Sequence, residues 1–338
     1  MKTSPKVRKF AIGAVKTVLL GILVAAIWTQ LRRKTGEVDL VATFTAQWAE
    51  GRHLIFLAVL ALMPLNWMLE GVKWRVLVRR FQADYTALDG VRSVLCGVML
   101  GFITPNKMGE FAGRLAHVQR AHWPKGITAG FWGGVAQFIV TYTVGVIFGL
   151  YAVHLWLQDH VDLPYGVLVA SAVVTIAIAC WTLLHLPRVI GWLERVPWIG
   201  GVMRRLSFQF TMQREHLGII LLITLVRYLV YVHQYILLFG FYGMDIGYGV
   251  LFQAVVTMLV LHTIIPSVPI MDLGVKGGVL AWLLIPAHTE NLLGALSVII
   301  TIWIVNLMVP AIVGYLLILR SDARDLLRVR TYADLGEG

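Results

Sequence analysis

Two places in this chain interrupt long apolar runs in a way that no ordinary spanning helix does, and they limit the folds open to it more than any other feature. In Gly101-Phe-Ile-Thr-Pro-Asn-Lys-Met-Gly-Glu-Phe-Ala-Gly-Arg114, the apolar run from Val94 to Ile103 gives way within a few residues to Pro, Asn, Lys, Gly, Glu and Arg. In Ile264-Ile-Pro-Ser-Val-Pro-Ile-Met-Asp-Leu-Gly-Val-Lys-Gly-Gly278 the same plan recurs: an apolar run, a Pro break, a polar Gly-containing turn and a resumed apolar run. Each reads as a broken helical hairpin. Unwound backbone at membrane depth is tolerated only where it is buried in protein or lines a wet cavity, so two such breaks point to one shared polar site.

That the surroundings are a membrane follows from composition. The 338 residues are 58% hydrophobic and only 14% charged, with mean hydropathy +0.77, which is more apolar surface than a soluble domain could bury. The formal net charge of +11 sits in short Lys/Arg clusters between apolar runs, so it reads as a topology signal facing anionic headgroups and not as a nucleic-acid surface. Cys96 and Cys180 both fall inside apolar runs, without a CxxC, and read as packing residues. The histidines show no HExxH or clustered spacing, so neither a metal nor another cofactor is expected.

Taken in order, the chain reads as all-α, a polytopic membrane protein of about six spanning helices plus two re-entrant hairpins. The expected spans are Phe10 to Gln30, Leu54 to Lys73, Ile127 to Leu157, Tyr165 to Leu186, Leu217 to Phe241 and Leu292 to Leu319. The run from Phe10 is longer than the apolar core of a signal peptide, so an uncleaved first span is expected. Leu31 to His53 reads as a polar loop, and Trp74 to Arg80 as an interfacial anchor. The hairpins are 88–119 and 250–285; Pro187 to Arg214 reads as an amphipathic segment on the membrane surface. Residues 1–160 then form a first repeat, 161–319 a second and 320–338 a polar tail.

Lys and Arg collect at the N-terminus, 73–92, 107–125, 188–214 and beyond Arg320, and are absent from 158–164, 242–248 and 286–291. These sides agree if both hairpins return to the face they came from, which places both termini in the cytoplasm and inserts the two repeats in opposite directions. That is the inverted-repeat plan of secondary transporters.

Thr104-Pro105, Gly109-Glu110 and Arg114, with Pro266, Pro269 and Leu273-Gly274-Val275, resemble the membrane region of lysylphosphatidylglycerol synthases and the stand-alone flippase-like proteins related to it, over roughly Phe10 to Leu319. The resemblance implies an inner-membrane protein that moves a lipid or lipid-linked precursor between leaflets, without the cytosolic aminoacyl-transferase domain. The second motif departs from the usual pattern, with Met271-Asp272 in place of small glycines and Lys276 where an acidic residue is common.

The candidate site residues are Thr104, Pro105, Asn106, Lys107, Glu110, Arg114, Arg227, Pro266, Asp272 and Lys276. Glu110 opens the second arm of its hairpin, where a carboxylate suits the helix dipole; it either braces the turn or handles substrate or proton. Lys107 and Arg114 either anchor the hairpin to the basic face or bind an anionic headgroup, Arg by its fork and Lys as a point charge. Arg227 falls in mid-span, where a charge costs roughly 2.5–3.5 kcal/mol, so it needs Glu70, Glu110 or a lipid phosphate as partner. Asp272 and Lys276 either pair with each other or complete the site. Asn66, His233, Gln234 and Asn306 read as interhelical hydrogen-bonding residues.

The expected function is translocation of an anionic phospholipid or polyprenyl-phosphate-type lipid by alternating access, with proton coupling open and no enzymatic step. Two other classes stay open. One is a membrane glycosyltransferase or lipid-modifying enzyme using the acidic pair Glu37 and Asp39; the other is a non-transporting partner of an envelope enzyme. No Gly-rich nucleotide loop is present to support ATP-driven transport by this chain.

Overall fold

A computed structural model describes residues 40–104, 107–158, 164–196, 214–264, 276–280, 283–284 and 292–320. Every regular element among them is helical: α1 (Leu40–Gln47), α2 (His53–Val78), α3 (Ala87–Ile103), α4 (Gly109–Arg114), α5 (Trp123–Gln158), α6 (Tyr165–Leu184), α7 (Leu186–Leu193), α8 (Arg214–Phe241), α9 (Tyr248–Ile264), α10 (Leu292–Trp303) and α11 (Val309–Arg320). Five stretches among the described residues are long and apolar enough to cross a membrane: Val41–Val78, Arg120–His154, Tyr165–Thr182, His216–Phe241 and Gly294–Arg320. This is an all-α, multi-pass membrane protein. The expected first span, the pair Glu37 and Asp39, the tail and residues 265–275 of the second hairpin lie outside the described residues.

The second span begins earlier than its hydropathy suggests. Residues Leu40 onward, expected as loop, are helical through α1 and a π-helical turn, Trp48–Arg52, that runs into α2. Gly51, at φ +85°, supplies the kink there. Aromatic packing holds this extension in place: Phe44 sits 4.9 Å from Phe56 and 5.1 Å from Phe241, ring centre to ring centre. At its other end α2 does not stop at an interfacial anchor. Trp74 is 1% exposed, and its indole donates to Tyr85 Oη at 3.1 Å. Tyr85 in turn meets Ser93 Oγ at 2.6 Å, and burial raises its phenol pKa above the ordinary value. Tyr85 thus ties the end of α2 to α3.

α3 starts on a capping box: Thr86 Oγ1 accepts from the Asp89 backbone N–H at 3.1 Å, and Asp89 Oδ2 accepts from the Thr86 N–H at 3.0 Å. It then lies in a glycine-lined slot. A Cβ at Gly71 or Gly90 would collide across the α2–α3 contact, one at Gly113 would meet the Cys96 carbonyl, and one at Gly314 the Leu95 carbonyl. The second arm of this hairpin is shorter than expected, ending at Arg114. Beyond it the chain turns, and the Gln119 N–H reaches Gln82 Oε1 at 3.0 Å.

Among the described residues, α2 packs on α8, the hairpin helix α3 packs on α11, and the helix α9 packs on α5. Glycines make room for the last two contacts: Gly314 faces α3, while Gly145 and Gly149 face Val260 and Thr257 of α9.

Candidate functional site: a charged cavity inside the helix bundle

A cavity of about 480 Å³ opens where α2, the first hairpin, α5, α8, α9 and the α10–α11 helix meet. Of the residues expected at a site, it brings together Lys107, Glu110, Arg114, Arg227 and Lys276. Thr104 is not in its lining: the hydroxyl donates to the Leu100 carbonyl at 2.7 Å and accepts from the Gly109 N–H at 2.8 Å, so it closes the hairpin turn. Lys107 beside it takes a left-handed backbone, φ +56°. Pro105, Asn106, Pro266 and Asp272 lie outside the described residues.

The centre of the charged region is Glu70 of α2, whose side chain is 3% exposed. Three cations converge on it: Lys73 Nζ at 2.7 Å, Arg114 Nη1 at 2.8 Å and Arg227 Nη1 at 3.0 Å. Arg114 also donates from Nη2 to Glu110 Oε1 at 2.6 Å, and Arg227 donates to Gln137 Oε1 at 3.0 Å. Each guanidinium lies over an indole of α2, Arg114 over Trp74 at 5.6 Å and Arg227 over Trp67 at 5.5 Å. The spacing of Trp67, Glu70, Lys73 and Trp74 places them on one helical face, which is why one helix can cradle both arginines.

Charge does not balance in this lining. Among the described residues, Lys73, Lys107, Arg114, Arg227 and Lys276 stand against Glu70 and Glu110. The formal surplus is positive, and it is concentrated in a low-dielectric interior where it acts strongly on an anion. Glu70 was foreseen as a partner of Arg227. Lys73 was not foreseen as part of the site, since hydropathy alone puts it at a span end; its i,i+3 spacing from Glu70 is the signal that could have found it. The interhelical hydrogen bonds read from the sequence are present: Asn66 Nδ2 donates to Asn306 Oδ1 at 3.1 Å, Gln234 Nε2 to the Val59 carbonyl at 3.0 Å, and His233 Nε2 meets Tyr248 Oη at 2.9 Å.

Compared with known proteins, residues 11–328 match the family model described as the lysylphosphatidylglycerol synthase TM region. No curated protein matches the chain.

Proposed function

We propose that this chain, which belongs to the lysylphosphatidylglycerol synthase TM-region family, moves an anionic phospholipid or a polyprenyl-phosphate-type lipid between leaflets by alternating access around the charged cavity. The observation that carries the reading is the convergence of Lys73, Arg114 and Arg227 on Glu70 at 2.7–3.0 Å inside a membrane bundle. A lipid phosphate offers the same planar acceptor pairs as a carboxylate, so it can exchange for Glu70 or Glu110 on the arginine forks while its chains stay in lipid. The positive surplus draws the phosphate in, and the two carboxylates keep the arginines oriented and let the phosphate leave again.

The contacts of α3 on α11 and of α9 on α5, to either side of the α2–α8 contact, support an inverted repeat, with residues 1–160 and 161–319 rocking against each other. The family supports an inner-membrane location, and the Lys/Arg pattern supports both termini in the cytoplasm. No bond is made or broken in this reading, and the chain is a translocator, not an enzyme.

The test is movement of acyl-labelled lipids in vesicles holding the purified protein. Phosphatidylglycerol should move faster than phosphatidylcholine, and Arg114→Ala should slow it while the protein stays folded. If no lipid moves faster than in protein-free vesicles, with or without a proton gradient, the reading fails.

A further inference from the structure

The cavity lining holds uncharged polar groups as well as charged ones. One helical turn along α2 from Glu70, about 6 Å, stands Asn66, hydrogen-bonded to Asn306. Five uncharged side chains of the lining, this pair among them, carry a buried polar atom with no hydrogen-bond partner among the described residues: Asn66 Oδ1, Trp67 Nε1, Tyr228 Oη, Trp303 Nε1 and Asn306 Nδ2. All five side chains line the cavity, and Asn66, Tyr228, Asn306 and Trp303 are respectively 2%, 3%, 6% and 7% exposed.

Leaving a buried donor or acceptor unpaired forfeits its hydration with nothing in return, so buried polar groups are nearly always paired. Five unpaired atoms beside one cavity are therefore a costly arrangement that packing alone does not reward. Asn306 also lies in the π-helical segment Ile304–Met308, an irregularity that is frequent at functional sites. The terminal torsions of asparagine are broad, so both amides can turn their free atoms toward an entering ligand.

The kind of ligand follows from what the five groups offer. None is ionisable near neutral pH except at the extreme of the tyrosine hydroxyl, and they present both donors and an acceptor beside aromatic faces. A hydroxyl both donates and accepts, and so can answer Asn66 Oδ1 as well as the indole and amide N–H groups. An ammonium group is poorly served, because the Trp67 face is covered by Arg227 and both cavity carboxylates are held by cations.

We infer that the uncharged polar part of this lining, with Asn66 and Asn306 at its centre, is a subsite for a neutral, hydroxyl-bearing group, a polyol or a sugar ring, carried on the phosphate of the transported lipid. The inference rests on the translocation reading above and names the headgroup class that the site selects.

Its test uses binding, so that it is separate from movement. The full chain, purified in detergent, is titrated with phosphatidylinositol, phosphatidylglycerol or phosphatidic acid while its thermal unfolding is followed. All three carry an anionic phosphate, but only the first two carry hydroxyls beyond it. The inositol and glycerol lipids should bind about tenfold more tightly than phosphatidic acid, a difference of about 1.4 kcal/mol. Tyr228→Phe, which removes one oxygen and spares the fold, and Asn306→Leu should each shrink that preference toward one. Equal binding of phosphatidic acid, an unchanged preference in both variants, or no stabilisation by any of the three overturns the subsite. Selective binding without movement in vesicles would sink the translocation reading and keep the subsite; movement without headgroup preference would do the reverse.

Discussion

Arg227 of α8 and Glu70 of α2 meet at 3.0 Å, Nη1 to Oε2, joining two helices that pack along each other. The pair spans the central helix contact and the cavity wall at once, so it belongs to the fold and to the site together. Arg227→Met and Glu70→Gln should each lower thermal stability, and the double variant should lose less than the two losses added. A coupling of about 0.5–3 kcal/mol is expected for residues in one ion-pair network. Thermal unfolding of the four proteins in detergent measures it, and strict additivity would show that the two side chains do not depend on each other.

The close approach of the hairpin arms gives a second expectation. Gly113→Ala puts a methyl group against the Cys96 carbonyl and should destabilise by about 1–3 kcal/mol, the usual cost of overpacking. Gly134→Ala, with nothing within 4 Å of the added carbon, should be nearly silent. Comparison of their unfolding temperatures decides whether the hairpin is packed as tightly as described.

Charge and backbone strain can be separated at Lys107, which holds φ +56° at the hairpin turn. Lys107→Gly relieves the left-handed conformation and removes the charge; Lys107→Ala removes only the charge. If the cation draws phosphate into the cavity, both variants should slow phosphatidylglycerol movement, by about tenfold, roughly 1.4 kcal/mol on the barrier. The glycine variant should be the more stable of the two. Wild-type movement in both would remove Lys107 from the site.

An inverted repeat makes a sharp demand on topology. In the proposed repeat the loops joining α2 to α3 and α8 to α9 correspond to each other, and Asp84 and Asp245 are exposed in them. Single cysteines at these positions, in a chain lacking Cys96 and Cys180, should react with a membrane-impermeant thiol reagent from opposite sides. Labelling of both from the same face would end the inverted-repeat reading.

Hydropathy and helix breakers carried most of the architecture, because a bilayer permits few ways to satisfy backbone polar groups. The long apolar runs from Leu54, Ile127, Tyr165, Leu217 and Leu292 all become spans, and Thr104-Pro105 with Gly109 marks the turn of the first hairpin. The need for a partner to Arg227 was equally plain, since an isolated charge in mid-span is too costly to keep. Which residues meet was a different matter. Lys73 and Trp74 look like a basic, aromatic span end until α3 and α4 pack over them, and then they are buried at 2% and 1% exposure. Thr104 looks like a ligand until its hydroxyl is seen to close the turn. Asn66 and Asn306 read along the chain only as hydrogen-bonding partners between helices, and nothing in the sequence marks Tyr228 or Trp303 as beside them. They come from α2, α8, the end of α10 and the π-helical segment Ile304–Met308, and only the packing of those helices, brought close by glycines far apart in sequence, puts them beside one cavity with the cations of Arg114 and Arg227.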